Sequence, residues 1–332
     1  MASPTRPAPA LPFLLPTNRP AARFYDGGPQ IDGFRGLPRG ADHTPEDWVG
    51  STTAVRGQEP AGLTRLDDGS LLREAVEADP AGWLGSEHVA RWGADAMLLV
   101  KLLDAGQRLP VHAHPHDSFA AEHLGTAHGK AEAWYILAPG TVYLGLTRSL
   151  EPAELRRLVD EQSVERMLAL MHPVRVAAGD TVYVPPGVLH AIGEGILLAE
   201  VQQPEDLSIL LEWRDFAVDG PADGHLGLGF DVALQAVETG ARTPEEIDAL
   251  VVRGPRIGGT LPNGSSEYFR LDRVQAPATL EPGFAVLIVT DGEAQLDGLA
   301  LPAGSTAVLP HASGPTRLRG DATVLVARPP AP

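Results

Sequence analysis

The sequence predicts a mainly β protein built as two barrel- or sandwich-like units. Three observations carry this expectation. Gly 36 and Pro 31 together make up about a fifth of the chain, a density of turn formers that suits many short strands and not a helical bundle. At 332 residues the chain is too long for one ordinary domain and suggests two core units. The apolar runs have strand length, and with 43% hydrophobic but only 5% aromatic residues the core leans on Leu, Val, Ala and Ile.

Taken in order, residues 1–20 read as an extended or disordered arm. Leu71, Leu72, Ala75 and Val76 have helical spacing and the pattern stops at Pro80, giving a short helix. Ala96 to Leu103 reads as a buried strand. A helical patch runs from Pro152 to about Leu170, with Leu155, Leu158 and Val159 at intervals of three and four. A loop rich in Gly and Asp spans Gly220 to Gly229. Thr243-Pro244-Glu-Glu246 then opens a helix with a capping box and proline at its first position. From Tyr268 to Ala327 the text is all strand and turn.

The net charge of −17 is unsuited to a phosphate backbone, so no nucleic-acid partner is expected. No stretch approaches the roughly 20 apolar residues a membrane helix needs, and the proline-rich start cannot form the apolar core of a signal peptide. No membrane partner is expected, and the cytoplasm is the expected compartment. Disulfides are excluded because the chain has no cysteine.

Two words about seventy residues apart describe one metal site. The first is Gly106 followed after five residues by His112-Ala-His114; the second runs Gly179-x5-Pro185-x-Gly187-x2-His190. Between them, Gly129-Lys130-Ala-Glu132-Ala-Trp134 supplies a carboxylate on a third strand. Strand residues two apart share a face, so His112 and His114 can reach one ion together. Three imidazoles and a carboxylate suit Zn, Fe, Mn or Ni, with no thiolate in competition. Gly304-x5-Pro310 repeats the frame of Gly179 to Pro185, but no His-x-His precedes it and His311 stands alone, so no second metal is expected there.

These spacings resemble the two signature motifs of cupins, small double-stranded β-helix (jelly-roll) barrels with a metal at the mouth. The fuller set of words is similar to the class I mannose-6-phosphate isomerases: His112-Ala-His114-Pro115-His-Asp117, Glu122-His123, Gly129-Lys130-x-Glu132-x-Trp134, Pro185-x-Gly187-x2-His190 and Glu200-x-Gln202-Gln203. The resemblance covers residues 93–213 strongly. It extends faintly to Arg23-Phe-Tyr-Asp-Gly-Gly28, to Pro45-Glu46-Asp47-Trp48 and to the C-terminal end. It implies two jelly-roll (cupin) barrels with a helical insertion. The expected divisions are an N-terminal arm with packing elements (1–92), a metal-binding domain (93–215, insertion 151–171), a connector (216–262) and a degenerate C-terminal cupin-like domain (263–332).

The implied activity is a metal-dependent aldose–ketose isomerisation, most directly mannose 6-phosphate to fructose 6-phosphate through an enediol. The implied ligands are His112, His114, Glu132 and His190, holding Zn2+ or another divalent ion; family members commonly carry Gln where this chain has His112. Lys130 and Glu200 are the candidates for moving the proton or stabilising the enediol, and the sequence leaves the choice between them open. A lysine beside a dication is expected to have its protonated form disfavoured. Trp134 is expected to pack, and Asp117 either to orient a histidine or to sit in an exposed turn.

One departure bears on the substrate. The family has a Tyr-Arg pair after Glu-x-Gln-Gln, and here Ile209 and Leu210 stand in its place. Arg214, four residues on, would share a face with Leu210 on a regular strand and is the candidate replacement, unless it pairs with Asp215 or Glu212 at the surface. The readings left open are a phosphorylated aldose, a free aldose, a cupin oxygenase and a non-catalytic sugar-binding cupin. The expected partner is therefore a sugar or sugar phosphate, and the chain a monomer or homodimer.

Overall fold

The computed structural model describes residues 8–21 and 23–332, and its strands lie in three antiparallel sheets. The first has six strands in the order Val251–Val252, Thr181–Val184, Glu132–Ala138, Leu197–Gln202, Leu99–Asp104 and Glu46–Val49. The second has five: Ile209–Leu210, His112–Ala113, His190–Ile192, Gly140–Leu146 and Met171–Val176. The third has eight and is made mostly from Arg270 to Arg328 with the Phe13–Leu14 strand at one edge. The mainly β expectation holds.

The central strands of the first sheet are buried throughout, from Leu99 to Asp104 and from Leu197 to Gln202, which is why they read as apolar runs and not as alternation. One core joins this sheet to Val142, Leu144, Val174 and Ile192 of the second sheet. Each fully buried Leu or Val in it contributes roughly 1.5–3 kcal/mol. Phe269, Phe284, Val286, Val308 and Leu325 of the third sheet belong to the same core. A separate cluster, including Leu287, Val289, Leu301 and Leu309, fills the other face of the third sheet.

The repeated glycine frame has the same structure twice. Gly179 and Gly304 adopt φ values of 89° and 80°, a left-handed conformation that glycine takes without strain. Each N–H bonds a strand carbonyl at 2.9 Å, Ile136 O and Val289 O respectively, and each glycine leads into a four-residue strand ending before Pro185 or Pro310.

Residues 8–20 are an ordered extension, while 1–7 of the expected arm lie outside the described residues. Phe13 and Leu14 pair with Val308 and Ala307, Leu15 is buried, and Asn18 bonds Asp47 Oδ1 (2.7 Å) and Trp48 O (3.0 Å). The short helix is Leu72–Ala78; Pro80 ends it and starts the next, capped by Asp79. The helical patch is two helices, Pro152–Asp160 and Val164–Ala169, because Gln162 turns the chain at φ 47°. Thr243 caps Pro244–Asp248 through the expected box. No helix among the described residues is long and apolar enough to cross a membrane.

Candidate metal centre

His112 and His190 face each other across adjacent strands of the five-stranded sheet. The His112–Ala113 strand is so short that His114 lies just beyond its end, yet its ring still turns to the same point. The turn before His190 requires Gly187 at φ 85°, and its N–H bonds His114 O at 2.7 Å, tying the two words together. The ring centroids are 4.0 Å apart for 112–190, 4.8 Å for 114–190 and 5.0 Å for 112–114. The possible ligand atoms of the three lie within 4.8 Å of one another, and this is the one such group among the described residues.

Backbone carbonyls fix the ring tautomers. Each Nδ1 lies against an oxygen that can only accept: Pro110 O at 2.8 Å for His112, Leu207 O at 2.6 Å for His114, Val188 O at 2.9 Å for His190. Each Nδ1 therefore carries its proton and leaves the Nε2 lone pair directed inward. Burial, then His190 and His114, hold the His112 pKa well below the ordinary imidazole value; burial, then the Lys130 charge, push His114 down to about 3. Both rings are neutral ligands at neutral pH.

Glu132 enters from the facing sheet. Its Oε2 is 3.1 Å from His114 Nε2 and its Oε1 3.3 Å from His190 Nε2. Lys130 Nζ lies 2.6 Å from Glu132 Oε2 and donates to His114 Nε2 at 3.1 Å, while His190 Nε2 and Glu200 Oε1 are buried without a hydrogen bond. Buried polar atoms left unmatched are costly, and three converging Nε2 atoms, that of His190 without any partner, beside a carboxylate fit a divalent cation. Trp134 does more than pack: its Nε1 donates to Glu132 Oε1 at 3.1 Å and fixes the carboxylate.

Behind these residues runs a buried chain of charges. Lys130 Nζ is 3.8 Å and Lys101 Nζ 3.5 Å from Glu200 Oε1, and Lys101 lies 3.6 Å from Glu46 Oε2. Arg23 Nε donates to Glu46 Oε1 at 2.9 Å, Tyr25 OH donates to the same oxygen at 2.7 Å, and Trp48 Nε1 donates to Oε2 at 2.6 Å. Burial works against the Lys130 ammonium, but Glu132 and Glu200 outweigh it and raise its pKa. Burial, then Glu132, raise the Glu200 carboxyl.

Burial alone would raise Glu46, yet Arg23 and Lys101 hold it far below its ordinary 4.5. A depressed carboxyl adds stability that is present above the unfolded pKa and lost as pH falls toward the folded one. Glu46→Gln is therefore expected to flatten the loss of stability below about pH 4.5, read as a smaller change in urea midpoint between pH 7 and pH 3. An unchanged acid limb would show that Glu46 is not depressed.

Arg214 is not brought to the centre: half-exposed, it pairs with Glu165 and lies 3.8 Å from Asp215. The strand ends at Leu210, so the assumed common face does not continue. Glu212 is engaged by Arg108 instead. Asp117 orients no histidine; its Oδ1 accepts from Gly129 N at 2.7 Å and Gln203 Nε2 at 2.9 Å, pinning the approach to Lys130. Leu210 lies opposite His112 and lines the cavity. His311 sits in a short turn against Gly85.

Sequence reasoning missed Lys101, Glu46, Tyr25, Asp206 and Arg23, all of which line the same cavity. A signal was there for Lys101, the one charge within the Ala96 to Leu103 run.

No protein-family model matches the chain. A curated relative, mannose-6-phosphate isomerase of Streptococcus mutans, is 39% identical over 170 residues, 49% of this chain and 50% of that protein. The chain thus spans about half the length of this curated relative. Among solved structures, mannose 6-phosphate isomerase of Bacillus subtilis aligns with TM-score 0.67 and 22% identity over 96% of this chain and 99% of that one. The apo mannose 6-phosphate isomerase of Salmonella typhimurium aligns with TM-score 0.74 and 14% identity over 97% and 100%. These likenesses extend over the whole fold, beyond the half matched in sequence.

Proposed function

We propose that the chain is a member of the mannose-6-phosphate isomerase family, a reading its likeness to those proteins supports, and that it is a metal-dependent aldose–ketose isomerase converting mannose 6-phosphate to fructose 6-phosphate through an enediol. The observation that carries this reading is the meeting of His112, His114, His190 and Glu132 at one buried point, with Lys130 and Glu200 beside it. A divalent ion held by those four residues, zinc being the first to test, would stabilise the negative charge on the enediol oxygens.

The roles of the other two residues follow from their partners. Lys130 is engaged as an ammonium by Glu132 and Glu200, which suits it to neutralise a developing oxyanion. Glu200 Oε1 has no hydrogen bond, so it is the oxygen free to accept the C2 proton and return it to C1. Arg214 has no part in this reading. The reading also takes the three sheets as two cupin jelly rolls, with 93–215 as the metal-binding domain, 216–262 as connector, 263–332 as the metal-free copy and 1–92 packed on both. The repeated glycine frame supports this division. The compartment proposed is the cytoplasm, with a monomer or homodimer as the assembly.

The test is Glu200→Gln followed in heavy water. Bound metal is expected to stay, while turnover falls at least about a hundredfold and deuterium no longer enters at the transferred position. Persisting exchange would give the proton to another group. A second reading, a free aldose as substrate, draws on Leu210 in the cavity wall; coupled assays on mannose 6-phosphate and mannose separate the two.

A further inference from the structure

The cavity beside the metal centre has an apolar residue, Leu210, directly across from His112. A sugar phosphate needs open N–H donors, and a guanidinium supplies them best, two at a time. The basic groups of the cavity are Arg23, Lys101 and Lys130, against Glu46, Glu132, Glu200 and Asp206. Lys101 is shared between Glu46 and Glu200, and Lys130 between Glu132 and Glu200. Arg108, the nearest arginine in sequence to His112, is closed off in a two-point pair with Glu212.

Arg23 differs. Its Nε is fixed on Glu46 Oε1, and Tyr25 and Trp48 hold that carboxylate in turn. Its Nη2 lies 3.7 Å from Asp206 Oδ1, beyond hydrogen-bond distance, and neither Nη atom has a hydrogen-bond partner among the described residues. The side chain keeps 13% of its surface exposed, at the cavity wall that also carries Ser208 and Leu210. The guanidinium is thus aimed by one anchored nitrogen and faces Asp206 with another, while neither Nη is committed to a hydrogen bond. Three basic against four acidic groups leave the cavity one charge negative, and a divalent cation makes it one positive; without Arg23 that margin vanishes.

We infer that Arg23, anchored on Glu46, is the guanidinium that binds the substrate phosphate at the cavity wall beside Leu210. The inference rests on the isomerase reading above and names how that site selects a phosphorylated sugar. It is a binding role, so it is read in KM and in equilibrium affinity.

The experiment uses the metal-loaded full chain with mannose 6-phosphate, together with calorimetric binding of fructose 6-phosphate and of fructose. Arg23→Ala is expected to raise KM for mannose 6-phosphate at least about tenfold with kcat within about threefold. It should weaken fructose 6-phosphate to the same extent, with a smaller loss for Arg23→Lys. Adding Leu210→Arg to Arg23→Ala should recover most of the loss. Unchanged KM and affinity overturn the inference. So does a fall in kcat at constant KM, which would put Arg23 on the enediol oxygen, or an equal loss for fructose, which would make it a positioning residue acting through Glu46. A wild-type chain that isomerises mannose but neither turns over nor binds the phosphorylated sugars overturns this inference and leaves the isomerase. A chain that isomerises no aldose overturns the isomerase, while fructose 6-phosphate binding still decides on Arg23. Should the alanine variant fail to fold, Arg23→Gln, which retains a donor for Glu46, takes its place.

Discussion

His190→Ala is expected to strip the chain of its cation and to cut isomerisation at least about a thousandfold, roughly 4 kcal/mol of barrier. His190 sits at the middle of the donor set, 4.0 and 4.8 Å by ring centroid from the other two imidazoles and 3.3 Å from Glu132 Oε1. No other side chain can move in, because the position is wholly buried between two sheets and closed by Trp134, whose ring lies 5.7 Å away. Metal per chain by plasma spectrometry, with a coupled assay on the same preparation, checks both halves of the expectation. One ion per chain retained by the variant would move the metal away from these rings.

Lys130→Ala separates binding from turnover. The ammonium touches Glu132 and His114 but its loss takes no donor from the cation. Metal content is expected to stay near that of the parent while isomerisation falls by about 10²–10⁴-fold, the usual range for a positioned acid–base or charge-stabilising group. The same substitution leaves Glu132 and Glu200 facing each other without their shared cation. The metal-free variant should therefore melt below the metal-free parent. Turnover within about tenfold of the parent would remove Lys130 from the reacting face.

The residues legible in the sequence are those set by local geometry. His112, His114 and His190 lie within two residues of a strand or a glycine turn, and the Gly-x5 frames state both turns in the text. Glu132 and Trp134 share a face because they are two apart on one strand, and the carboxylate–indole bond follows from that spacing. What was not legible depends on distant pairing. Gln162, from the helical insertion, accepts from Trp213 N and Arg214 N and turns the chain away from the centre, so counting forward from Leu210 misplaces Arg214. Lys101 is visible only as a polar interruption in an apolar run; its purpose appears once Glu200 lies opposite it. Arg23 enters from a segment with no repeat of its own, held by Glu46 of another strand. Asp117 was readable as a turn residue, but its partner Gln203 lies 86 positions away.

The third sheet has no metal motif, yet Phe269, Phe284, Val308 and Leu325 share a core with Val49, Leu72 and Trp134, and Phe13 of the N-terminal extension pairs with its edge at Val308. Heat cannot release one half while sparing the other, so the chain should lose its structure in one cooperative melt. Any cation or sugar captured at the candidate metal centre then protects the distant third sheet by mass action as well.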